Sequence, residues 1–228
     1  MLIVLEGLDG SGKSTQLKKT TDYVASLGKD VEYLHFPRYA APVYGNLISR
    51  FLRGEFGSVN QVHPQLVALL FAEDRHGAAI QIKSWIEKGK VVVLDRYVYS
   101  NIAFQCAKLT DRNAASALRE WISDTEYRQF GIPRPDLNIF LDVPIDFVDE
   151  RLASNRKDDN DREYLEGKED IHEADITFQM KVREMYLEQC GADPSFIRVD
   201  CRDDSGRMLP ADDIFSKIKT LIDNIVCE

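Results

Sequence analysis

The sequence predicts an α/β fold of the P-loop kinase type: a five-stranded parallel sheet flanked by helices, with a short lid segment. Three observations predict it. Short apolar runs alternate along the chain with segments of helical period, the order of a parallel sheet wrapped by helices rather than a sandwich or bundle. The runs are continuous in Val, Ile and Leu, as in Val91-Val92-Val93-Leu94, which suits strands buried on both faces. A glycine-rich stretch joins the first run to the first helical segment, the strand–loop–helix order of a phosphate-binding loop.

Five runs read as strands: Leu2 to Leu5, Val31 to Phe36, Val91 to Leu94, Leu137 to Val143 and Phe196 to Val199. Between them, Leu17, Thr21 and Val24 mark a first helix that Gly28 closes, and Ile214, Ile218, Leu221 and Ile225 mark a last one. A stripe through Leu66, Leu70 and Phe71 reads as the buried face of a further helix. Asn155 to Lys168, almost wholly polar and charged, reads either as a solvated loop or as a lid over an active site. No repeat or linker interrupts the chain, so one domain over residues 1–228, with the lid near 155–168, is expected.

At 228 residues, 44% of them hydrophobic, the chain can bury a substantial core, and its formal net charge of −9 provides no global positive field. A nucleic acid polymer or an anionic membrane is therefore not an expected partner, and any phosphate must be held by a local basic cluster. Cys106, Cys190, Cys201 and Cys227 are too widely spaced for a metal or redox motif. The apolar start is cut off by Glu6 and no later run reaches the length of a membrane span, so a soluble, cytoplasmic protein is expected.

Gly7-Leu8-Asp9-Gly10-Ser11-Gly12-Lys13-Ser14-Thr15 matches G-x-x-x-x-G-K-[ST]. Gly7, Gly10, Ser11 and Gly12 let backbone N–H groups curl around the β-phosphate of ATP. Lys13 reaches the β- and γ-oxygens, Ser14 offers its hydroxyl to Mg²⁺, and Thr15 opens the following helix, whose positive end adds to the site. The motif alone does not choose among kinases, GTPases and motors. An Asn-Lys-x-Asp guanine-reading stretch is absent, and the chain is small for a motor, which leaves the nucleotide kinases or a P-loop binding module without turnover. Intact Lys13, Ser14 and Asp95 speak against the latter. Arg38 and Arg96 fall at the carboxyl ends of the second and third strands, where open parallel sheets bind ligands, and two guanidinium forks suit a phosphate dianion. Asp95 is the natural carboxylate for Mg²⁺, or else a helix cap.

Phe36-Pro37-Arg38-Tyr39, Leu70-Phe71-Ala72-Glu73-Asp74-Arg75 and Asp95-Arg96-Tyr97-Val98-Tyr99-Ser100-Asn101 occur in order after the P-loop, and Asp170-Ile171-His172-Glu173-Ala174-Asp175 follows the lid. This set resembles the motifs of thymidylate kinases. The resemblance implies transfer of the γ-phosphate of ATP to dTMP with Mg²⁺, in a homodimer. It places Arg38, Tyr39, Arg96 and Tyr97 at the dTMP site. It also implies that Phe71 stacks on thymine, that Arg75 bonds a base carbonyl, that Asn101 reads another polar edge, and that Phe104 crowds the sugar 2′ position. For Phe71 and Phe104 a place in the core is the alternative.

Asp9, by the same resemblance, faces the 3′-hydroxyl or a metal near the acceptor phosphate, and Glu173 is a second acid of that site or part of a solvated face. Members of the family supply a cation to the transferring phosphoryl group from the P-loop or from the lid. Gly10 follows Asp9 here, so the lid must supply it, with Arg156 first and Lys157 and Arg162 as alternates. Arg151, just before the lid, is expected to pack over adenine. Lys13, Arg156, Asp9 and Arg96 are thus the candidate catalytic residues.

Overall fold

A computed structural model describes residues 1–155, 163–168, 170–173 and 175–226. In chain order the elements are β1 (Leu2–Gly7), α1 (Lys13–Ser26), β2 (Val31–His35), α2 (Tyr44–Leu52), α3 (Pro64–Glu87), β3 (Val91–Asp95), α4 (Val98–Cys106) and α5 (Arg112–Ser123). A π-helical turn (Asp124–Gln129) continues α5. Then come β4 (Leu137–Asp142), α6 (Ile145–Asn155), a 3₁₀ turn (Glu163–Leu165), α7 (Ile176–Ala192), β5 (Phe196–Asp200) and α8 (Ala211–Val226).

The five strands form one sheet in the order β2-β3-β1-β4-β5, every pairing parallel. β1, β3 and β4 occupy the middle and are buried along their whole length, which is why they read as unbroken apolar runs. β2 lies at an edge and leaves Tyr33 47% exposed, so its pattern is mixed. All strands point the same way, so their carboxyl ends share one rim, and the chain order switches sides at β1. The loop after β1 and the loop after β3 meet at that crevice, the usual ligand position in such sheets.

Helix ends follow local chemistry. Leu27 ends α1, and Gly28 takes the left-handed φ of +75° that a side chain would resist. Pro64 opens α3, where its missing N–H costs nothing, and His63 Nδ1 accepts from the N–H of Gln65 at 3.2 Å. The stripe expected on α3 is displaced: Leu66 is 62% exposed, and the buried face runs through Val67, Ala68, Ala72, Ala78, Ala79 and Ile82. Small alanines let the helix lie close to the sheet, which single-residue hydrophobicity does not signal.

Two apolar layers cover the sheet. One gathers α1, α7 and α8 through Leu17, Val24, Val182, Ile214, Ile218 and Ile222; the other gathers α3 and α5 through Ala78, Ile82, Leu118 and Ile122. A third, smaller cluster of Ile48, Phe51, Leu52 and Val67 joins α2 to α3. Tyr39, Phe71, Tyr164 and Ile171 pack against it, so the turn at Glu163–Leu165 is docked on α2. Arg53 reinforces the docking by donating to the Tyr164 carbonyl at 2.8 Å, and the Ile171 N–H donates to the Leu52 carbonyl at 3.0 Å.

Glu6 is a carboxylate inside the most buried strand, with no exposed surface. Its Oε1 accepts from the N–H groups of Tyr97 (2.9 Å) and Ser100 (3.1 Å), so a residue of β1 caps α4 across the sheet. Oε2 accepts from the Ser100 hydroxyl and from the Tyr186 hydroxyl, the latter at 3.1 Å. Burial pushes the Glu6 pKa up, against the hydrogen bonds from Ser100 and the nearby Arg96, which favour the anion. Replacing Glu6 by Ala should cost about 2–4 kcal/mol of stability, because two helix N–H groups and two hydroxyls lose a buried acceptor. Urea denaturation of Glu6→Ala checks this, and a loss under about 1 kcal/mol would refute the capping role.

Candidate active site

Gly7 ends β1, and the chain then turns through Gly10 and Gly12, at φ of +71° and +78°, into the first turn of α1. Those left-handed positions curl the loop and account for Gly12, while at Gly7, the other fixed glycine, a side chain would meet the Ser11 hydroxyl at 2.9 Å. Lys13 is buried, its ammonium donating to the carbonyls of Leu8 (3.1 Å) and Gly7 (3.4 Å). Burial lowers its pKa and Arg96 lowers it further, against the charges of Asp95, Asp9 and Glu6. Ser14 and Thr15 are exposed at the helix start. Arg151 stands beside the loop, its Cβ only 3.2 Å from where a side chain on Gly10 would begin.

Asp95, at the end of β3, receives His35 Nδ1 on Oδ2 at 3.1 Å, while its buried Oδ1 has no partner among the described residues. Burial alone would raise its pKa, but Lys13 and the His35 hydrogen bond outweigh it and the carboxylate is held below the usual range. Arg96 follows in the left-handed region, φ +64°, unusual for a side chain of its size. Its N–H donates to the Leu5 carbonyl, Nη1 donates to the Ser100 hydroxyl at 3.1 Å, and Nη2 to Asp9 Oδ1 at 2.6 Å. The guanidinium also lies over the Phe104 ring at 5.1 Å. Asp9 completes the link through Oδ2, which accepts from Gln179 Nε2 of α7 at 2.9 Å.

Beside this pair opens a pocket lined by Asp9, Tyr39, Phe71, Arg75, Arg96, Asn101 and Phe104, seven of the residues expected around the acceptor. Phe71 and Phe104 each touch both the pocket and apolar neighbours, which joins the two readings that the sequence left open. Two residues depart from expectation. Tyr97 is fully buried, packs on Phe36 and donates its hydroxyl to the Pro133 carbonyl at 3.1 Å, so it belongs to the core and does not line the pocket. Its place directly before α4 turns the side chain under the sheet rather than over the rim. Arg38 is tied to Asp74, with Nε on Oδ1 at 2.9 Å, Nη2 on the backbone carbonyl at 2.5 Å and its own N–H on Oδ2 at 2.8 Å.

Arg75 and Asn101 are held by a residue with no sequence signal, Glu126 of the π-helical turn. The carboxylate is bidentate to Arg75, 2.5 Å from Nε and 2.7 Å from Nη2, and accepts from Asn101 Nδ2 at 2.9 Å. From the lid side, Tyr164 stacks on Tyr39 with centroids 3.8 Å apart, and its hydroxyl donates to Asp170 Oδ2 at 3.0 Å. Asp170 and His172 also line the pocket. Both stand in the quoted motif after the lid, yet only Glu173 was singled out there. Glu173 donates its N–H to the Asp170 carbonyl at 3.1 Å. Arg156, Lys157 and Arg162 lie outside the described residues. Among the described residues, no group of three or more His, Cys, Asp or Glu side chains is arranged to hold a metal ion. Asp9, Asp95 and Glu173 therefore do not form a ready-made cage, whereas Mg²⁺ at phosphate sites takes only one or two carboxylates.

A curled glycine loop with a buried lysine at the switch of a parallel sheet, opening on an aromatic pocket with two arginines, defines a P-loop phosphotransferase. The family model for thymidylate kinase matches residues 5–206. The chain is 35% identical over 189 residues to the thymidylate kinase of Mycobacterium tuberculosis, covering 82% of this chain and 85% of that one. It is 33% identical over 226 residues to the thymidylate kinase of Schizosaccharomyces pombe, covering 98% and 92%. A solved thymidylate kinase from Candida albicans superposes with a TM-score of 0.71 at 26% identity, over 98% of this chain and 91% of that one. The chain belongs to the thymidylate kinase family, and is thereby an ATP-using kinase.

Asp170 provides a test of the docked turn at Glu163–Leu165. Its pKa is pushed up to about 8, first by burial and then by the charges of Asp9 and Glu173. A folded-state value above the unfolded one means that the stabilisation is complete below the unfolded pKa of about 4 and is lost as pH rises toward 8. In metal-free buffer, the melting temperature of the wild type relative to Asp170→Asn, which stays neutral, should fall between about pH 5 and pH 8 and level off above that. A constant difference over that range would show that the carboxyl is not held neutral by the docked turn.

Proposed function

We propose that this kinase phosphorylates dTMP to dTDP, with ATP seated on the P-loop and dTMP in the pocket between α3 and α4. The observation that carries the reading is the pocket itself. Its lining brings together the aromatic rings of Phe71 and Phe104, the guanidinium of Arg75 and the amide of Asn101 with the Asp9–Arg96 pair. A flat base with polar edges fits the first set, and a phosphate bound for the γ-phosphate of ATP fits the pair.

In this reading Lys13 and the N–H groups around Gly10 and Gly12 hold the β- and γ-phosphates. Arg96 receives the acceptor phosphate, and Arg38 approaches it from the end of β2 with its direction set by Asp74. Asp9 orients the sugar hydroxyl or the water around the phosphate, and Arg151 covers the adenine. Ser14, together with the unpartnered Oδ1 of Asp95, offers hard oxygen ligands that suit Mg²⁺, with Asp9 and Glu173 nearer the acceptor. When bound, the ion neutralises phosphate charge and aligns donor and acceptor. The lid contributes the remaining cation, Arg156 first, then Lys157 or Arg162. No general base is needed, because the attacking phosphate oxygen is already ionised.

We further infer a single catalytic unit over residues 1–228 with its lid near 155–168, working in the cytoplasm, where Cys106, Cys190 and Cys201 stay unpaired thiols. No helix among the described residues is long and apolar enough to cross a membrane. A homodimer follows from likeness to the family and is supported by the outer stripe of α3, where Leu66, Leu69 and Ile80 are 62%, 36% and 85% exposed. Sedimentation velocity at micromolar concentration should read a dimer, and Ile80→Glu should shift it toward monomer. A wild-type monomer at that concentration overturns the dimer.

A coupled ADP-release assay across the nucleoside monophosphates tests the activity. Turnover with dTMP should have the highest kcat/KM, and dUMP should follow, lower by about 1–3 kcal/mol for the missing methyl. Purine and cytosine nucleotides should be poor, and UMP should be disfavoured by Phe104 against its 2′-hydroxyl. Faster turnover of AMP, GMP or CMP would displace Phe71, Arg75 and Asn101 from the base site.

A further inference from the structure

The amide of Asn101 has only one orientation open to it. Its Nδ2 group faces two atoms that can only accept, the Ala68 carbonyl at 3.0 Å and Glu126 Oε1 at 2.9 Å, so both N–H bonds are committed. Oδ1 is left buried and has no partner among the described residues, on a residue that lines the pocket. The same Glu126 oxygen accepts from Arg75 Nη2 at 2.7 Å, while Oε2 takes Nε at 2.5 Å. Glu126 thereby occupies one whole edge of the guanidinium and leaves the other edge to the pocket. Glu126 and Arg75 are 0% and 2% exposed at their side chains, so water does not compete for these contacts.

We propose that Glu126 is the positioning residue that sets the hydrogen-bond polarity of the pocket: it fixes Asn101 as an acceptor and Arg75 as a donor, side by side. An acceptor next to a donor matches a base edge that carries an N–H beside a carbonyl, the imide edge of thymine or uracil. Cytosine presents the reverse, an unprotonated ring nitrogen beside an amino group, and meets a lone pair with a lone pair and an N–H with an N–H. Selection against cytosine is thus imposed by a carboxylate that lies behind the two reading groups, on a separate element of the chain. This inference rests on the pocket being the base site.

Glu126→Gln is nearly isosteric and removes the all-acceptor character. Whichever way its amide points, an N–H faces either Arg75 Nε or the position shared by Arg75 Nη2 and Asn101 Nδ2, so one of the two reading groups must turn. Steady-state kinetics with dTMP and dCMP, at saturating ATP and in a separate ATP titration, reads the effect. The expected result is a KM for dTMP raised tenfold or more, a dTMP-to-dCMP ratio of kcat/KM lowered at least tenfold, and a KM for ATP within twofold of the wild type. A ratio within threefold of the wild type, with both substrates weakened alike, would make Glu126 a purely structural residue and overturn the proposal. Should Glu126→Gln not fold, Glu126→Asp carries the same test, since it keeps the charge but reaches only one of the two partners. The wild-type ratio separates the underlying reading: a wild type that does not prefer dTMP to dCMP defeats the base-site assignment and this inference with it, whereas a preference that survives Glu126→Gln defeats this inference alone.

Discussion

The site depends on a chain of buried polar contacts that crosses the sheet rim, from Glu6 through Ser100 and Arg96 to Asp9 and Gln179. It ties the P-loop to the start of α4 and to α7, so three elements that meet only through tertiary structure share one geometry. A charge as deep as Glu6 would be costly alone, and its four donors offset that cost only while α4 stays in register with β1. The left-handed backbone of Arg96 belongs to the same constraint. Its N–H is held by Leu5 and its side chain by Asp9 and Ser100, which together maintain a conformation that a free arginine would leave.

A second constraint works from the outside of the pocket. The small cluster around Ile48, Phe51, Leu52 and Val67 is a platform on which α2, α3 and the turn at Glu163–Leu165 meet. Tyr164 on Tyr39 and Ile171 on Leu52 extend it to the chain between β4 and α7. The pocket wall is therefore built partly from residues docked on this platform rather than on the sheet. Core burial holds Phe104 and Arg96, and this platform holds Tyr39 and Tyr164. Two parts of the pocket wall are thus held by different parts of the fold.

The central strands were legible because full burial on both faces writes itself as unbroken Val, Ile and Leu, and all five lie where the runs place them, within about two residues at their carboxyl ends. The P-loop was legible because its chemistry is local: glycine freedom, a lysine and a helix start within nine residues. The pocket was legible only by likeness to a family, since Phe71, Arg75, Asn101 and Phe104 have no spacing that distinguishes a base site from a core. Glu126 and Gln179 carried no signal at all, as their partners lie 51 and 170 positions away. Glu6 did carry one, a lone acid within an apolar strand, whose meaning depends on a helix 91 positions further on. Tyr97 misled for the complementary reason: it sits between two site residues in sequence, but the turn into α4 directs it to the core.

Each arginine near the acceptor is already paired, Arg38 with Asp74, Arg75 with Glu126 and Arg96 with Asp9. In the proposed reading a protein of net charge −9 holds a phosphate dianion at these paired groups, without a positive field around it. The carboxylates cancel much of the long-range attraction and fix direction: each guanidinium is held by a carboxylate, and those of Arg75 and Arg96 line the pocket. A substrate then gains little from charge as such and much from matching those guanidinium groups, so recognition rests on hydrogen-bond geometry rather than on net attraction. The same pairing limits what these arginines can do as the phosphoryl group moves, because charge already neutralised in the ground state stabilises the transition state less. Rate enhancement must come from cations not bound to a partner carboxylate in the body of the pocket. Lys13, whose ammonium rests on the carbonyls of Gly7 and Leu8, is one such group among the described residues.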